Sequence, residues 1–339
     1  MTPAELAAEF EALGLPKYRA GQVFRWLSRG VSDFSQMTDL SKTLREQLEA
    51  RYEILSARVE VKRVSKDGTV KYLFRLNDGE FVESVLMQYR HGTSICISTQ
   101  VGCKMGCDFC ATGRSGFSRN LTASEILSQV QAAALDEDVR ISNIVLMGMG
   151  EPLDNYDNVL RFLDLVSDPQ GMDIGMRHIS LSTCGLVDKI NDLADKKLQL
   201  TLSVSLHAPN DEIRNRTMPV NRRWNVESLL KACRRYGEKT GRRISFEYAM
   251  IRGENDSDAC ATELASRLKG MLAHVNLIPV NSVEGTAYRK SEIARQKRFI
   301  EILNSRGIAC TVRRTLGSDI EASCGQLRRR HEGGLQNES

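Results

Sequence analysis

Three of the nine cysteines crowd into eight residues, in the stretch Cys103-Lys-Met-Gly-Cys107-Asp-Phe-Cys110. Three thiolates this close in sequence can wrap one compact metal centre. When three thiolates bind a four-iron cluster, one iron has no protein ligand and can hold a small molecule, as the open position of a catalytic zinc does. The C-x3-C-x2-C spacing therefore predicts an iron–sulfur site with one open iron.

A zinc site and a chance grouping of the three cysteines both stay open at this point. A structural zinc site needs four closed ligands, and the usual second pair is missing nearby, although Cys96 or His91 could supply a fourth. Three buried structural cysteines could also stand together by coincidence. A disulfide scaffold is not expected, because the number of cysteines is odd, the chain is long and no export signal is visible.

The elements that must position this loop alternate along the chain from residue 93 onward. Short apolar stretches predict six strands, SICIST, NIVLMGM, HISLST, LQLTLSVSL, ISFEYAM and HVNLIPV, with helical stretches between them. Repeated βα units predict an α/β fold with a parallel sheet, either a partial barrel or a doubly wound sheet. In both architectures ligands gather at the carboxyl ends of the strands, and the three-cysteine loop follows the first of these strands.

The first 90 residues have a different pattern. Residues 1–55 have helical spacing, whereas residues 56–90 alternate apolar and polar positions with a period of two. Lys66-Asp67-Gly68 and Asn77-Asp78-Gly79 are typical hairpin turns between such strands. We therefore expect an N-terminal helical unit followed by a small antiparallel extension.

The composition of the 339 residues is ordinary for a folded soluble protein, with 41% hydrophobic and 27% charged residues. No run of 18 apolar residues is present, so no membrane-spanning helix is expected. The N-terminus lacks the apolar segment of a signal peptide. We therefore expect a cytoplasmic protein without a membrane partner.

The net charge is only +4, but the basic residues are clustered. The three clusters are Arg214, Arg216, Arg222 and Arg223; then Lys231, Arg234, Arg235, Lys239, Arg242 and Arg243; and finally Arg328, Arg329 and Arg330. Such clusters could follow the phosphates of a nucleic acid, or they could simply be solvated faces of helices and loops.

The stretch STQVGCKMGCDFCATGRSGF resembles the cluster loop of the radical S-adenosylmethionine (SAM) enzymes. Further stretches make the whole chain similar to the RlmN/Cfr family of RNA methyltransferases, and closer to RlmN: QVFRWL, FSQMTDLSK, MGMGEPLDNYDNV, SLSTCG, SVSLHAPND, HVNLIPVN and TVRRTLGSDIEASCGQL. The resemblance implies a partial (β/α)6 barrel over residues 91–316. A helical accessory domain (1–55) and an antiparallel β extension (56–90) precede the barrel, and a catalytic-cysteine loop with a flexible tail (317–339) follows it.

The resemblance also implies a [4Fe-4S] cluster on Cys103, Cys107 and Cys110, and a pocket for SAM. Gly150 and Glu151 would meet the amino group of SAM, which agrees with the preference of a cation for a carboxylate at a strand end; a dinucleotide motif is excluded because Leu153 stands where its third glycine would be. The remaining SAM contacts would be Ser182, Ser205, Leu206, His207 and Asn281.

Three further residues gain roles from the resemblance. Taken alone, Cys96 is typical of a small buried hydrophobe, Cys324 of a mobile thiol in a polar loop, and Glu83 of an exposed strand residue. By resemblance, a first SAM methylates Cys324, and a second is cleaved reductively to a radical that activates this methyl group for addition to an adenine. Glu83 would accept the ring proton, and Cys96 would attack Cys324 in a transient disulfide that releases the product.

The implied reaction is methylation of carbon-2 of adenosine, in 23S rRNA at the peptidyl transferase centre and in tRNA next to the anticodon. A flavodoxin-type electron donor and a monomeric enzyme are also expected. Two alternatives remain: a Cfr-type enzyme that methylates carbon-8, and a metal-stabilised RNA-binding module without catalysis. The other four cysteines match no role and are expected to be packing or surface thiols: Cys184, Cys233, Cys260 and Cys310.

Overall fold

The computed structural model describes residues 1–90, 92–280, 288–314, 316–320 and 322. In these residues ten strands form one mixed sheet in the order β1-β2-β3-β4-β7-β8-β9-β10-β11-β12, and β5 and β6 form a small antiparallel pair. The strands are Arg58–Val64 (β1), Val70–Arg75 (β2), Phe81–Tyr89 (β3), Gly92–Cys96 (β4), Gln100–Gly102 (β5), Phe117–Asn120 (β6), Ile141–Leu146 (β7), Ile179–Thr183 (β8), Thr201–Ser205 (β9), Ile244–Met250 (β10), Ala273–Pro279 (β11) and Ala309–Val312 (β12).

The α-helices of the described residues are Pro3–Ala12 (α1), Lys17–Ser28 (α2), Lys42–Glu49 (α3), Ala111–Arg114 (α4), Ala123–Asp136 (α5), Tyr156–Ser167 (α6), Val187–Lys196 (α7), Asp211–Thr217 (α8), Val226–Thr240 (α9), Asp258–Leu268 (α10) and Ile293–Ser305 (α11). None of them is long and apolar enough to cross a membrane. Helix α5 begins with a capping box, in which the Thr122 hydroxyl accepts from Glu125 N–H and the Glu125 carboxylate accepts from Thr122 N–H.

Six βα units begin at β4 and run in parallel through β7, β8, β9, β10 and β11. This confirms the predicted α/β alternation. A seventh parallel strand, β12, pairs with β11 and was not predicted. It has four residues, of which only Cys310 is buried, so no apolar run marks it in the sequence.

The predicted antiparallel meander is confirmed as β1, β2 and β3, with both turns at the expected positions. Gly68 and Gly79 occupy these turns with φ of +83° and +86°, a region that favours glycine. Strand β3 also pairs with β4, and the antiparallel strands therefore continue directly into the parallel sheet. One hydrogen-bonded sheet thus connects residues 58–64 with residues 309–312.

Helices α1 to α3 share the main hydrophobic core with the barrel. Phe10 and Phe24 are almost wholly buried in that core, and the Gln131 side chain of α5 donates a 2.7 Å hydrogen bond to the Leu27 carbonyl of α2. Gly30 lies directly against α5, where an added Cβ would be 3.0 Å from Gln131. The N-terminal helices are therefore packed on the barrel through α5.

Candidate active site

The three-cysteine loop, residues 103–110, leaves β5 at Gly102. This glycine has φ of +79°, and an added Cβ would lie 2.0 Å from the Gly116 carbonyl oxygen, so no other residue fits there. Cys103 N–H donates to the same Gly116 carbonyl at 2.8 Å. The beginning of the loop is therefore fixed against the connection that leads into β6.

The far side of the three-cysteine loop contacts the segment after β9. Asp108 N–H donates to the Thr217 carbonyl at 3.0 Å, and the ring of Phe109 lies edge-on against His207 with centroids 4.8 Å apart. Gly106 has φ of +64°, which allows the loop to turn here. These contacts place the loop at the carboxyl end of the parallel strands, where ligands are expected.

The three thiols have the chemistry of iron–sulfur ligands. Burial, together with the charge of Cys110, raises the pKa of Cys103 to about 12 and also raises that of Cys107. Thiols in this state become thiolates when a cation binds them. Among the described residues no three His, Cys, Asp or Glu side chains converge on one metal ion. Three half-buried soft donors fit a [4Fe-4S] cluster, which spreads its ligands over separate irons.

The loop after β7 carries the predicted contact at Gly150. An added Cβ at Gly148 would lie 2.6 Å from the Ile97 carbonyl oxygen, and one at Gly150 would lie 2.6 Å from Gln100 Cβ. Met149 N–H donates to the Ser98 hydroxyl at 2.8 Å. Both glycines therefore have a packing role: they let this loop lie directly on the connection between β4 and β5.

Glu151 is buried and links the ends of β7 and β8. Its carboxylate accepts from Cys184 N–H at 2.7 Å and from Leu153 N–H at 3.0 Å. Burial raises the pKa of Glu151, and these two backbone donors oppose the increase. The side chains of Thr183 and Cys184 also hydrogen-bond to this carboxylate, so an ammonium group would have to share it with them or replace them.

The structure places the other predicted SAM contacts at the ends of neighbouring strands. Ser182 and Ser205 are half-buried on β8 and β9, and Leu206 and His207 follow β9 directly. Leu206 is wholly buried, and its N–H donates to the Glu247 carbonyl. A ligand contact by Leu206 is therefore limited to van der Waals packing. Asn281 lies outside the described residues.

His207 is held in one tautomer. Its backbone has φ of +56°, and its Nδ1 accepts from Ala249 N–H at 2.9 Å, which leaves the ring proton on Nε2. Burial, together with the nearby charge of Arg214, lowers the pKa of His207 to about 3. His207 is therefore a neutral hydrogen-bond donor at physiological pH.

Cys96 lies on what we call the inner face of the sheet, the face that carries Val85 and Met87. Cys96 pairs with Val85 across β3 and β4 and is buried, as its residue type predicts. Met147, Leu316 and Ala322 pack against the same cluster. The chain segment that leads toward Cys324 therefore lies on the inner face, although Cys324 itself is outside the described residues. Because Cys324 is not among the described residues, the predicted pairing of Cys96 with Cys324 stays a prediction.

Glu83 is not the exposed strand residue that its type suggests. Its side chain is 3% exposed, and Oε1 lies 3.6 Å from Nζ of Lys71, which is 1% exposed. Glu83 is two residues before Val85 on β3 and therefore shares the inner face with Cys96. The β2–β3 register pairs Glu83 with Leu73, so Lys71 is its diagonal neighbour.

The segment before Cys324 is tethered to the turn between β1 and β2. Gly317 N–H donates to the Asp67 carboxylate at 2.8 Å, and Asp319 accepts from Ser65 Oγ and from Lys66 N–H. The bond from Gly317 is the main reason why the pKa of Asp67 lies well below its usual value. Residues 317–319 are thus attached to a hairpin turn of the sheet.

The members of the basic clusters differ in exposure and pairing, and Arg222, Lys231 and Arg243 are exposed. Arg214 is 0% exposed, which contradicts a surface role for this residue. Arg235 and Lys239 both pair with Asp195, and Arg216 pairs with Glu254. The third cluster, residues 328–330, lies outside the described residues.

The four cysteines without a predicted role are all buried, so packing rather than surface exposure explains them. Cys184 occupies a special position among them, because its N–H donates to Glu151 and its carbonyl accepts from Arg214. Sequence analysis missed the burial of Arg214 and Lys71, because charged residues in polar surroundings are usually exposed.

Comparisons with known proteins cover the whole chain. The model of the Radical SAM superfamily matches residues 97–263, and the model of the ribosomal RNA large subunit methyltransferase N-terminal domain matches residues 1–54. Proteins of Alkaliphilus oremlandii and Alkaliphilus metalliredigens, each named "Probable dual-specificity RNA methyltransferase RlmN", are 52% and 50% identical to this chain. The alignments cover 99% and 98% of this chain, and 98% and 94% of those proteins.

One solved structure is similar over nearly its full length. The radical SAM methyltransferase from Sphaerobacter thermophilus superposes with a TM-score of 0.92 at 47% identity, covering 96% of this chain and 97% of that one.

Proposed function

The chain belongs to the RlmN family of radical SAM RNA methyltransferases, and we propose that it methylates carbon-2 of adenosine in 23S rRNA, at the peptidyl transferase centre, and in tRNA next to the anticodon. The dual specificity is the activity in the names of relatives that are about 50% identical over almost the whole chain. The match at residues 1–54 supports RNA as the substrate, since that family model describes a ribosomal RNA methyltransferase domain.

The observation that carries the residue assignment is the inner face. It brings Glu83, Cys96 and the described segment before Cys324 onto one side of the sheet. An acid and two thiols are the groups that proton removal and thiol exchange require. This arrangement favours a methyltransferase with a cysteine intermediate over a purely RNA-binding module.

Radical SAM enzymes use SAM and a [4Fe-4S] cluster, which when bound supply one-electron chemistry that polar groups of the chain cannot. The cluster would be held by Cys103, Cys107 and Cys110. Glu151 would accept from the amino group of SAM, and the neutral His207 would donate from Nε2. Gly150, Ser182, Ser205, Leu206 and Asn281 would complete the pocket.

The chain's own residues would carry the methyl group and the proton. The Cys324 thiol would accept the methyl group, and the Glu83 carboxylate would accept the proton that leaves carbon-2 of the adenine. Cys96 as its thiolate would then attack the Cys324 sulfur, so that an S–S bond forms while the S–C bond to the RNA breaks. The released carbon would keep the electron pair of that bond and take up a proton, which completes the methyl group. The 6% exposure of Cys96 protects this thiol until the Cys324 sulfur reaches it.

Four finer features belong to the same proposal. Two SAM molecules would be used in each turnover, because one methylates Cys324 and one starts the radical step. A flavodoxin-type protein would supply electrons, the enzyme would act as a monomer, and it would work in the cytoplasm, where its RNA substrates are. The boundaries at residues 55, 90 and 316 would separate an N-terminal part that binds RNA from the catalytic barrel.

The full chain, reconstituted anaerobically with iron and sulfide, tests these assignments. We expect a brown protein with about four irons per chain that adds one methyl group at carbon-2 of adenosine, measured by mass spectrometry of digested RNA. Cys324→Ala should bind SAM but form no methylated RNA, and Cys96→Ala should accumulate protein covalently joined to RNA. Cys310→Ala, a buried thiol outside the site, should behave as the parent chain.

Each contrary outcome would reject a part of the proposal. Methylation at carbon-8 would favour a Cfr-type enzyme, and an iron-free protein that binds RNA would favour the non-catalytic module. Free product at the normal yield from Cys96→Ala would remove Cys96 from the mechanism.

A further inference from the structure

Arg214 on α8 is a wholly buried cation at the carboxyl ends of β8 and β9. Its guanidinium donates to the Cys184 carbonyl at 2.6 Å, to the Leu206 carbonyl at 3.1 Å, to the Ser205 carbonyl at 3.2 Å and to Asn221 Oδ1 at 2.8 Å. These four acceptors take four of its five N–H donors. They are all neutral groups.

The guanidinium lies within 4.0 Å of no Asp or Glu carboxylate among the described residues. The nearest acid in its hydrogen-bond network is Asp211, which reaches it only through the Asn221 amide at 2.9 Å. Burial of an arginine without a carboxylate partner is costly. A neutral side chain could pack at this place at a lower cost, so the charge itself requires an explanation.

Arg214 lies beside the three-cysteine loop. Helix α8 holds that loop through the bond from Asp108 N–H to the Thr217 carbonyl, three residues after Arg214. Cys184 also connects Arg214 with Glu151, because its N–H donates to the Glu151 carboxylate while its carbonyl accepts from Arg214. The same positive charge lowers the pKa of the Cys107 thiol against the effect of burial.

A loaded site would supply the missing negative charge. Three thiolates on a [4Fe-4S] cluster in its 2+ state give a net charge of −1, and one-electron reduction makes it −2. The amino group of SAM would offset Glu151. Lys104 and Arg114, two other cations at the loop, are partly exposed and pair with Asp154 and Asp108, whereas Arg214 is wholly buried. Net charge and burial around a cluster set its reduction potential.

We propose that Arg214 is a positioning residue for the cofactor site whose uncompensated charge stabilises the reduced cluster. Its guanidinium hydrogen-bonds to the ends of β8 and β9, which carry four of the predicted SAM contacts. Its positive charge favours the reduced state of the cluster, which SAM cleavage requires. This inference rests on the proposed function, because it needs the cluster on the three-cysteine loop.

The reduction potential of the reconstituted full chain tests the proposal, measured by a redox titration followed by electron paramagnetic resonance. At a fixed potential near the midpoint, we expect Arg214→Met and Arg214→Gln to lower the ratio of reduced to oxidised cluster about tenfold, which is 59 mV for one electron. Arg214→Lys keeps the charge and should stay near the parent value. Arg216→Gln, an exposed residue of the same helix, is the matched control and should also stay near it.

Iron content and SAM binding of each variant separate the possible failures. If the parent chain binds no cluster, the proposed function fails before Arg214 is tested. If the parent is loaded and Arg214→Met and Arg214→Gln keep its potential, the inference about charge is wrong. If only the parent and Arg214→Lys load iron, the charge is required and the inference is supported; if all three Arg214 variants fail to load, Arg214 acts through folding and the inference is overturned.

Discussion

The buried ion pair between Lys71 and Glu83 allows a quantitative test of the inner face. The two charged atoms are 3.6 Å apart, and both side chains are almost completely excluded from solvent. At this distance and an effective dielectric constant of about 20, their attraction is about 4–5 kcal/mol before desolvation is counted. Lys71→Met removes this attraction while the buried Glu83 carboxylate stays in place, and we expect it to lower the free energy of unfolding by about 3–5 kcal/mol.

A double-mutant cycle isolates the interaction between the two side chains. Lys71→Met combined with Glu83→Gln removes both charges while keeping similar volumes, and we expect the double variant to regain most of the stability that Lys71→Met loses. The free energies come from urea unfolding followed by circular dichroism, with all four proteins prepared without metal. Lys62→Met provides a control, because its ion pairs with Asp136 and Glu137 are partly exposed.

The expected coupling energy between Lys71 and Glu83 is about 2–3 kcal/mol. A coupling below about 0.5 kcal/mol would refute the reasoning, because it would mean that each charge finds an equal partner elsewhere. A loss from Lys62→Met as large as that from Lys71→Met would show that burial is not what makes the inner pair costly to break.

Three further predictions concern the site. Gly102→Ala should lose most of the bound iron after reconstitution, since its Cβ has no room, whereas Gly68→Ala shares the positive φ but meets no atom within 4 Å and should keep its iron. The pKa of His207 is about 3 in the folded chain, so below about pH 6.5 this side chain is protonated in the unfolded chain but not in the folded one. The free energy of unfolding should therefore fall by several kcal/mol as the pH drops from 6.5 toward 3. His207→Asn should lose that part of the pH dependence. Glu151→Gln should weaken SAM binding in equilibrium dialysis by tenfold or more at unchanged iron content, because an amide offers one acceptor oxygen where Cys184 N–H and an ammonium group need the carboxylate; unchanged affinity would argue against this contact.

Much of the fold could be predicted from local patterns. The strands and long helices of the barrel have clear apolar periods, and the two hairpin turns have glycines where the backbone needs a positive φ. Strand β12 and helix α8 were not predicted, because a four-residue edge strand and the polar heptapeptide DEIRNRT have no such period. The pairing of β3 with β4 was not predicted either, since strand order depends on long-range contacts rather than on local sequence.

The candidate site was predictable where spacing carries the chemistry. The three cysteines and Glu151 could be selected from the sequence because their residue types stand at recognisable intervals, and their roles stay predictions. The burial of Glu83 and Arg214 was not predictable, because each depends on partners distant in sequence or on the enclosing loops. A charged residue looks the same in a sequence whether water or a protein interior surrounds it.

The hydrogen bonds between residues 317–319 and the β1–β2 turn limit how far the C-terminal thiol can lie from that turn. Asp319 is hydrogen-bonded to the β1–β2 turn, and Cys324 follows five positions later, a fully extended span of about 17 Å. Chain length alone therefore limits the distance between the Cys324 sulfur and the β1–β2 turn. Adding a few residues between Asp319 and Cys324, with every side chain of the site intact, should therefore slow turnover, because the thiol would be spread over a larger volume.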